Sequence, residues 1–314
     1  MLTVHIVNFN TREDLRACLA SLHAYAPTRE AMRIVVVDNA SGDGSADMVA
    51  SDFPDVTLVR NTTNRGFTGG NNDAIAAARG TLSTTHAGDT ALLLNPDTVV
   101  PAGALDALLA FLRERPRAGV VGPRLVYGDG TPQSSRRRFP TLATGLFEST
   151  WLRGIAPRRV LARYRAEDLP DDAPAEVDWV VGAAMLTRWE VIDAVGGLDE
   201  ASFFMYSEEI DWCRRVKAAG WSVWWTPAAK ITHFEARSSD QVSERRLILF
   251  NTSRARYFSK HHGALAGGIV RAAALLGFAV ELMIEAAKGV LGSKRALRAQ
   301  RVRAYAAALR SGLR

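Results

Sequence analysis

Over the first 125 residues, short apolar runs alternate with stretches whose apolar residues recur every three or four positions. Val4 to Asn8 reads as a strand. Thr11 to Ala24 carries Leu15, Cys18, Leu19 and Leu22 at helical spacing, with Thr11 placed as an N-cap. Arg33 to Asp38 holds the unbroken run Ile34-Val35-Val36-Val37, the signature of a strand buried on both faces. A helix follows Ser41-Gly42-Asp43-Gly44-Ser45, and Val56 to Arg60 is the next strand. The Gly/Asn-rich turn Asn64 to Asn72 opens a helix through Arg79. Thr90 to Leu94 is a buried strand that stops at Asn95-Pro96-Asp97, Ala104 to Arg113 is a helix, and Gly119 to Pro123 a strand. Such alternation predicts an α/β fold, a Rossmann-like, mostly parallel sheet with helices on both faces. Ligands of such sheets sit beyond the carboxyl ends of the strands. Asn8-Phe9-Asn10, Asp38-Asn39 and Asn95-Pro96-Asp97 all end strands, so all three are expected to face one crevice.

Residues 129 to 176 break the rhythm. They are rich in Pro, Arg and Asp, and read as a loop region with a helix or two, a lid or an acceptor-binding insertion. Order returns over Asp178 to Arg188, then a helix from Arg188 to Val195 ending at Gly196-Gly197. Phe203 to Gly220 contains an amphipathic helix opened by Glu208, Glu209 and Asp211. Ser222 to Trp225 is a strand leading to Ile231-Thr232-His233. Residues 241 to 262 and 264 to 291 are helical in pattern.

Composition changes this picture little. Of 314 residues, 47% are hydrophobic and 23% charged, which is ordinary globular usage and not disorder. Cys18 and Cys213 are too few for a disulfide framework or a thiolate zinc site, and both fit packed thiols. The first strand starts at once, so a signal peptide is not expected and the cytoplasm is inferred. Charge changes the picture more. The net charge is +6, yet the segment from Lys294 onward holds seven basic residues and no acid, so the body is near neutral and the tail basic. A basic tail suits an anionic surface, or is simply a solvated helix.

Several chemistries are excluded. No Walker A loop is present, no Gly-x-Gly-x-x-Gly follows the first strand, and Gly-x-Ser-x-Gly is missing, which argues against P-loop, nicotinamide and α/β-hydrolase chemistry. Carboxylates and one histidine at strand ends remain. Asp38 suits a base or ribose, or alternatively an Asx-turn or cap. The glycines of Asn64 to Asn72 allow close backbone approach where a helix N-terminus attracts phosphate, or they make only a turn. Asp97, in an exposed turn, suits a Mg²⁺ or Mn²⁺ bridging two phosphates, with His233 completing the coordination or serving as a structural residue. Glu208, Glu209 and Asp211 complement a helix dipole, and in a cleft they also raise a carboxyl into the general-base range. Arg136, Arg137 and Arg138 fit a phosphate grip or a solvated loop.

Five stretches in order resemble glycosyltransferase family 2 with the GT-A fold, over about residues 1 to 262. They are Ile6-Val7-Asn8-Phe9-Asn10, Val36-Val37-Asp38-Asn39-Ala40-Ser41-x-Asp43-Gly44-Ser45, Asn64-x-Gly66-Phe67-x-x-Gly70-Asn71-Asn72, Leu94-Asn95-Pro96-Asp97 and Phe204-Met205-Tyr206-x-Glu208-Glu209-x-Asp211-x-Cys213-x-Arg215. The subgroup they resemble is the rhamnosyltransferase-like bacterial enzymes of cell-wall and surface polysaccharide. The resemblance implies an inverting transfer of a sugar, L-rhamnose among the candidates, from a dTDP- or UDP-sugar to a glycan or lipid-diphosphate-linked acceptor. It implies that Asp38 binds the base, that Asn8, Asn10, Asn64, Gly66, Asn71 and Asn95 line the nucleotide pocket, and that Asp97 and His233 hold a divalent cation. Asn95 stands where the family's Asp-x-Asp has its first acid. Glu209 matches the catalytic base, often Asp in relatives, with Glu208 and Asp211 in support and Arg215 neutralising the acids. A nucleotidyltransferase and a non-catalytic nucleotide-sugar-binding module are the alternatives; the first lacks its N-terminal Gly-rich signature here, and the retained Asp97, Glu209 and His233 oppose the second.

These motifs divide the chain into a transferase domain, 1–262, with a nucleotide-sugar half at 1–125 and an acceptor half at 126–262, and a C-terminal segment, 263–314. In the latter, Leu265, Ile269, Leu276, Val280, Met283, Ala287 and Val290 recur at helical steps, and Arg271, Glu281, Glu285 and Lys288 share one arc. The longest uncharged run, Ala272 to Val280, is well short of the ~20 residues a spanning helix needs. The helix is therefore expected on the inner membrane surface as a peripheral anchor, or as a dimer or core helix, and no nucleic acid is expected as partner.

Overall fold

The apolar runs do pair. In the computed structural model, which describes residues 1–80, 88–148, 150–234, 243–292 and 294–314, β1 (Leu2–Asn8) lies between β2 (Met32–Asp38) and β4 (Thr90–Leu94). Beyond β2 is β3 (Thr57–Arg60), and all four strands are parallel. Every residue of β4 is buried, as expected of a run without polar alternation. Helices α1 (Arg12–Ala24), α2 (Ser45–Asp52) and α3 (Gly66–Arg79) are the crossovers. Leu15, Cys18, Leu19 and Leu22 of α1 form the core with Leu2, Val4 and Ile6 of β1.

The second half of the sheet is mixed. After β5 (Thr98–Val99) and α4 (Ala104–Glu114) come β6 (Ala118–Val126), β7 (Pro132–Gln133), β8 (Arg136–Arg137), β9 (Ala175–Val177), β10 (Trp179–Val180) and β11 (Ala184–Arg188). Then follow α7 (Trp189–Val195), α8 (Glu208–Ala218) and β12 (Ser222–His233). The ten-stranded sheet runs β3-β2-β1-β4-β11-β6-β12-β5, with β7 on β6 and β9 on β12. The long registers are parallel; of the antiparallel pairs only β4–β11 extends beyond three residues. The two runs read as Ser222–Trp225 and Ile231–His233 are one strand, interrupted by an irregularity between Thr226 and Lys230.

The chain forms two compact units. The first comprises 1–139, 165–200 and 208–238; the second comprises 140–164, 201–207 and 239–314. The second holds α5 (Leu142–Phe147), a 3-10 turn (Trp151–Ile155), α6 (Arg158–Tyr164), α9 (Ser243–His262), α10 (Ala264–Leu291) and α11 (Arg295–Ser311). Helix α9, which the sequence reading places in the acceptor half at 126–262, falls in the same unit as α10 and α11. Its buried Arg254 donates to the carbonyls of Gly145 and Glu148 at the end of α5. The basic tail is itself a helix, since Ala, Leu and Arg all favour one. It folds back so that Phe278 stacks on Tyr305, and Arg298 and Arg301 meet the buried Glu285.

Gly70 sets how closely α3 approaches β1. A Cβ there would lie 2.5 Å from Val7 Cγ1 and 3.0 Å from Asn39 Nδ2. Gly70→Ala should therefore destabilise by about 1–3 kcal/mol through overpacking. Gly42→Ala, with nothing within 4 Å of the added carbon, should be near neutral in the same urea titration.

Candidate active site

Strands β1, β2 and β4 are adjacent and parallel, so their ends share one edge of the first unit. Side chains there bond one another. Asn8 Nδ2 donates to Asp38 Oδ1 and to Ser41 Oγ, each at 3.1 Å. Asp38 Oδ2 accepts from the Ser41 amide at 3.0 Å, so this aspartate does close a turn. Asn10 adopts a left-handed φ of 54°, and its Oδ1 accepts from the Gly42 amide. Thr11 takes the N-cap position of α1, but its hydroxyl is donated to Asn8 Oδ1 at 2.6 Å. Asn39 links all three loops: its amide donates to Asn8 O, its Nδ2 to Gly66 O, and its Oδ1 accepts from Asn61 Nδ2. Asn64 Oδ1 caps the Gly66 amide at the start of α3. Asn71 is buried, and its Nδ2 donates to Phe67 O within α3.

The β4 end joins a histidine from the far side of the sheet. Pairing of His233 with Thr98, between β12 and β5, brings His233 Nε2 to 3.3 Å from Asp97 Oδ1 and 3.3 Å from Asn95 Nδ2. Asp97 and His233 are both buried. Asn95 Oδ1 is buried with no hydrogen-bond partner among the described residues. The donor set fits a divalent cation. Ligands at ~2.1 Å on adjacent corners of an octahedron lie about 3 Å apart, close to the separation found here. Carboxylate and imidazole leave the other positions for phosphate and water; Asn95 turns its Nδ2 to the imidazole, and among the described residues no third His, Cys, Asp or Glu joins the pair.

The acidic motif opens α8. Glu208 and Asp211 are buried, and Glu209 is half-buried. A Cβ on Gly182 would lie 3.6 Å from Glu209 Cβ and 3.7 Å from Phe67 Cζ, so Gly182 separates the acid from the first turn of α3. The next residue, Ala183, accepts from the Asn95 amide at 2.9 Å. Contacts therefore run without a break from Asn8 and Asp38 through Asn39, Gly66, Phe67 and Gly182 to Glu209, and through Ala183 and Asn95 to Asp97 and His233. Asp211 pairs with Arg215 at 3.0 Å, and Arg215 also donates to Val195 O and Gly197 O. That pair anchors α8 on the end of α7. Cys18 and Cys213 are buried thiols pushed up to about 12, which leaves them unreactive.

The sheet and its surrounding helices have the architecture of a GT-A glycosyltransferase. The chain belongs to glycosyl transferase family 2, whose model matches residues 3–172, and a model of glycosyl transferase family group 2 matches 91–256. It is a rhamnosyltransferase-like member. An N-acetylglucosaminyl-diphospho-decaprenol L-rhamnosyltransferase of Mycobacterium tuberculosis is 30% identical over 267 residues, covering 83% of this chain and 85% of that protein. A low-salt glycan biosynthesis hexosyltransferase of Haloferax volcanii is 27% identical over 69% of this chain and 61% of its own. Among solved structures, a Pyrobaculum calidifontis mannosyltransferase in complex with GDP-Man and Mn²⁺ superposes with a TM-score of 0.55 at 16% identity, over 99% of this chain and 86% of that one.

Sequence reasoning missed three residues that order this site. Asn39 was read only as part of a motif, although its place directly after a buried strand marks it as a linker. Gly182 and Gln133 gave no signal, because each acts through a partner distant in sequence. The arginine triplet is engaged internally. Arg136 is buried over the Trp225 ring and donates to Leu169 O, Pro170 O and Asp171; Arg138 pairs with Asp168. Arg137 Nη1 donates to Ser134.

Burial first, and then the charge of Glu209, push the Glu208 carboxyl well above its ordinary 4.5. The native state keeps a proton that the unfolded chain has lost, so stability falls as pH rises from about 4.5 toward the raised value. Glu208→Gln should remove that fall and raise the melting temperature at neutral pH. Melting curves of both proteins from acid to neutral pH check this.

Proposed function

We propose that this glycosyltransferase moves a sugar, with L-rhamnose the leading candidate, from a dTDP- or UDP-sugar to a hydroxyl of a lipid-diphosphate-linked glycan acceptor. The observation that carries the reading is the continuous arc joining Asp38, Glu209 and the Asp97–His233 pair. The M. tuberculosis relative's name supports the sugar and the acceptor class. In this reading Asp38 and Asn8 hold the base and ribose, and Asn64 and Gly66 present the α3 amides to the diphosphate. Glu209 takes the proton from the acceptor hydroxyl, and that oxygen attacks the anomeric carbon opposite the leaving group, so configuration inverts. A divalent cation on Asp97 and His233, Mn²⁺ or Mg²⁺, would supply positive charge for the departing diphosphate. Asp211 and Arg215 orient the helix that carries the base.

Glu209→Gln should retain nucleotide binding and lose transfer by a factor of about 100 or more, the scale of a lost general base. Asp97→Asn and His233→Ala should each weaken Mn²⁺-dependent binding of UDP or dTDP. Turnover of radiolabelled donor and calorimetry with and without chelator measure the two effects. Normal turnover by the Gln variant would remove Glu209 from the role of base.

The same reading places the protein on the cytoplasmic face of the membrane. Among the described residues, 264–290 form the one helix segment long and apolar enough to span, with mean hydropathy 1.8 and only 22% of the window buried. Leu265, Leu276, Met283 and Val290 are more than half exposed. Arg271, Glu281, Glu285 and Lys288 on the same helix favour a surface position over a span, and Lys294 with the arginines of α11 complements anionic headgroups. The full chain should sediment with anionic vesicles at low salt and be released at high salt; failure to sediment would assign this face to a subunit contact.

A further inference from the structure

We propose that Gln133 is a positioning residue for the cation site: it fixes the His233 ring so that Nε2 faces the cation. This rests on the reading of Asp97 and His233 as cation ligands. Gln133 Oε1 lies 2.9 Å from His233 Nδ1. A carbonyl oxygen only accepts, so Nδ1 carries a proton, and in the tautomer this bond selects the lone pair is on Nε2. That lone pair points to where Asp97 Oδ1 and Asn95 Nδ2 each stand at 3.3 Å. In this arrangement it accepts from Asn95 Nδ2, and beside the Asp97 carboxylate it offers a cation a nitrogen ligand next to an oxygen one. The opposite tautomer would put a proton on Nε2 and block coordination.

The fold delivers Gln133 by a short hairpin. Strand β7 pairs with the end of β6, Gln133 opposite Leu125 and Pro132 opposite Val126. β6 in turn pairs with β12, Leu125 opposite Ile231 and Val126 opposite Thr232. The turn is closed by the Gly130 amide on Tyr127 O and the Tyr127 amide on Thr131 O. Gly128 lies against Phe234, where a Cβ would come within 2.7 Å of the ring. The hairpin is thus seated beside His233 on one side and fastened to β6 on the other, so the glutamine reaches the imidazole without a long mobile arm.

The test compares Gln133→Leu and Gln133→Glu with the parent protein. Free Mn²⁺ is read by electron paramagnetic resonance in the presence of UDP, and the His233 tautomer by ¹⁵N shifts of histidine-labelled protein, assigned with His233→Ala. The parent should show Nδ1–H on His233. Gln133→Leu should melt like the parent, lose the tautomer preference and bind Mn²⁺ about 10–100-fold more weakly, the usual cost of losing such a partner. Gln133→Glu, which keeps the acceptor, should retain the tautomer and the affinity. Unchanged Mn²⁺ affinity in Gln133→Leu, or an Nε2–H tautomer in the parent, overturns the proposal alone. Absence of any Mn²⁺ affinity in the parent overturns it together with the cation reading. If the Leu variant does not fold, the parent tautomer and the Glu variant decide.

Discussion

Three loops meet at Asn39, through its backbone amide and its side chain, and the crevice exists because they do. Parallel strands buried on both faces must end abruptly, and the backbone groups beyond their last pairs need partners that are not water. Asn39 supplies them in three directions, to Asn8 of β1, Gly66 of α3 and Asn61 beyond β3. An aliphatic residue there would keep the backbone bond to Asn8 and lose the side-chain bonds to Gly66 and Asn61, each worth about 0.5–1.5 kcal/mol. Ala40, held at a φ of 63° beside it, shows how sharply the chain must turn. Strain of this kind persists only where neighbours over-determine it.

The chemistry is spread over elements that the sheet holds in register, not over one loop. Asp97 leaves β4, His233 ends β12, and Glu209 opens α8. Antiparallel β11 is what joins them. It begins one residue after Ala183, whose carbonyl takes the Asn95 amide, while the neighbouring Gly182 faces Glu209. Glu209 and the Asp97–His233 pair therefore refer to a common two-residue stretch. The buried Glu208 stands beside Glu209, and burial together with that neighbouring charge pushes its carboxyl above the ordinary range.

Local pattern is enough for the strands and helices before Pro123 apart from the two-residue β5, because each carries its own period: four unbroken apolar residues in β2, three- and four-residue steps in α1. It is also enough for the five motifs, three of which stand at strand ends and two of which open α3 and α8. Partnerships were not legible. Nothing in Gln133 or Gly182 announces His233 or Glu209, since contacts across a hundred residues or between neighbouring loops leave no periodicity. The antiparallel insertion of β11 was hidden for the same reason. Arginine was misleading in the opposite sense: Arg136 looks like a surface charge, yet flat stacking on Trp225 and three backbone or carboxylate acceptors let it lie in the interior.

The ion cluster around Glu285 has a bearing on how strongly the C-terminal hairpin feels its surroundings. Glu285 is 3% exposed and accepts from Arg298 at 2.6 and 2.8 Å, with Arg301 and Lys288 close by. Charges committed in that seam have already shed their counterions within the protein. They contribute nothing to the counterion release that an external polyanion exploits. The effective valence of the tail is set by Lys294, Arg295, Arg303, Arg310 and Arg314, and it is smaller than a count along the sequence suggests.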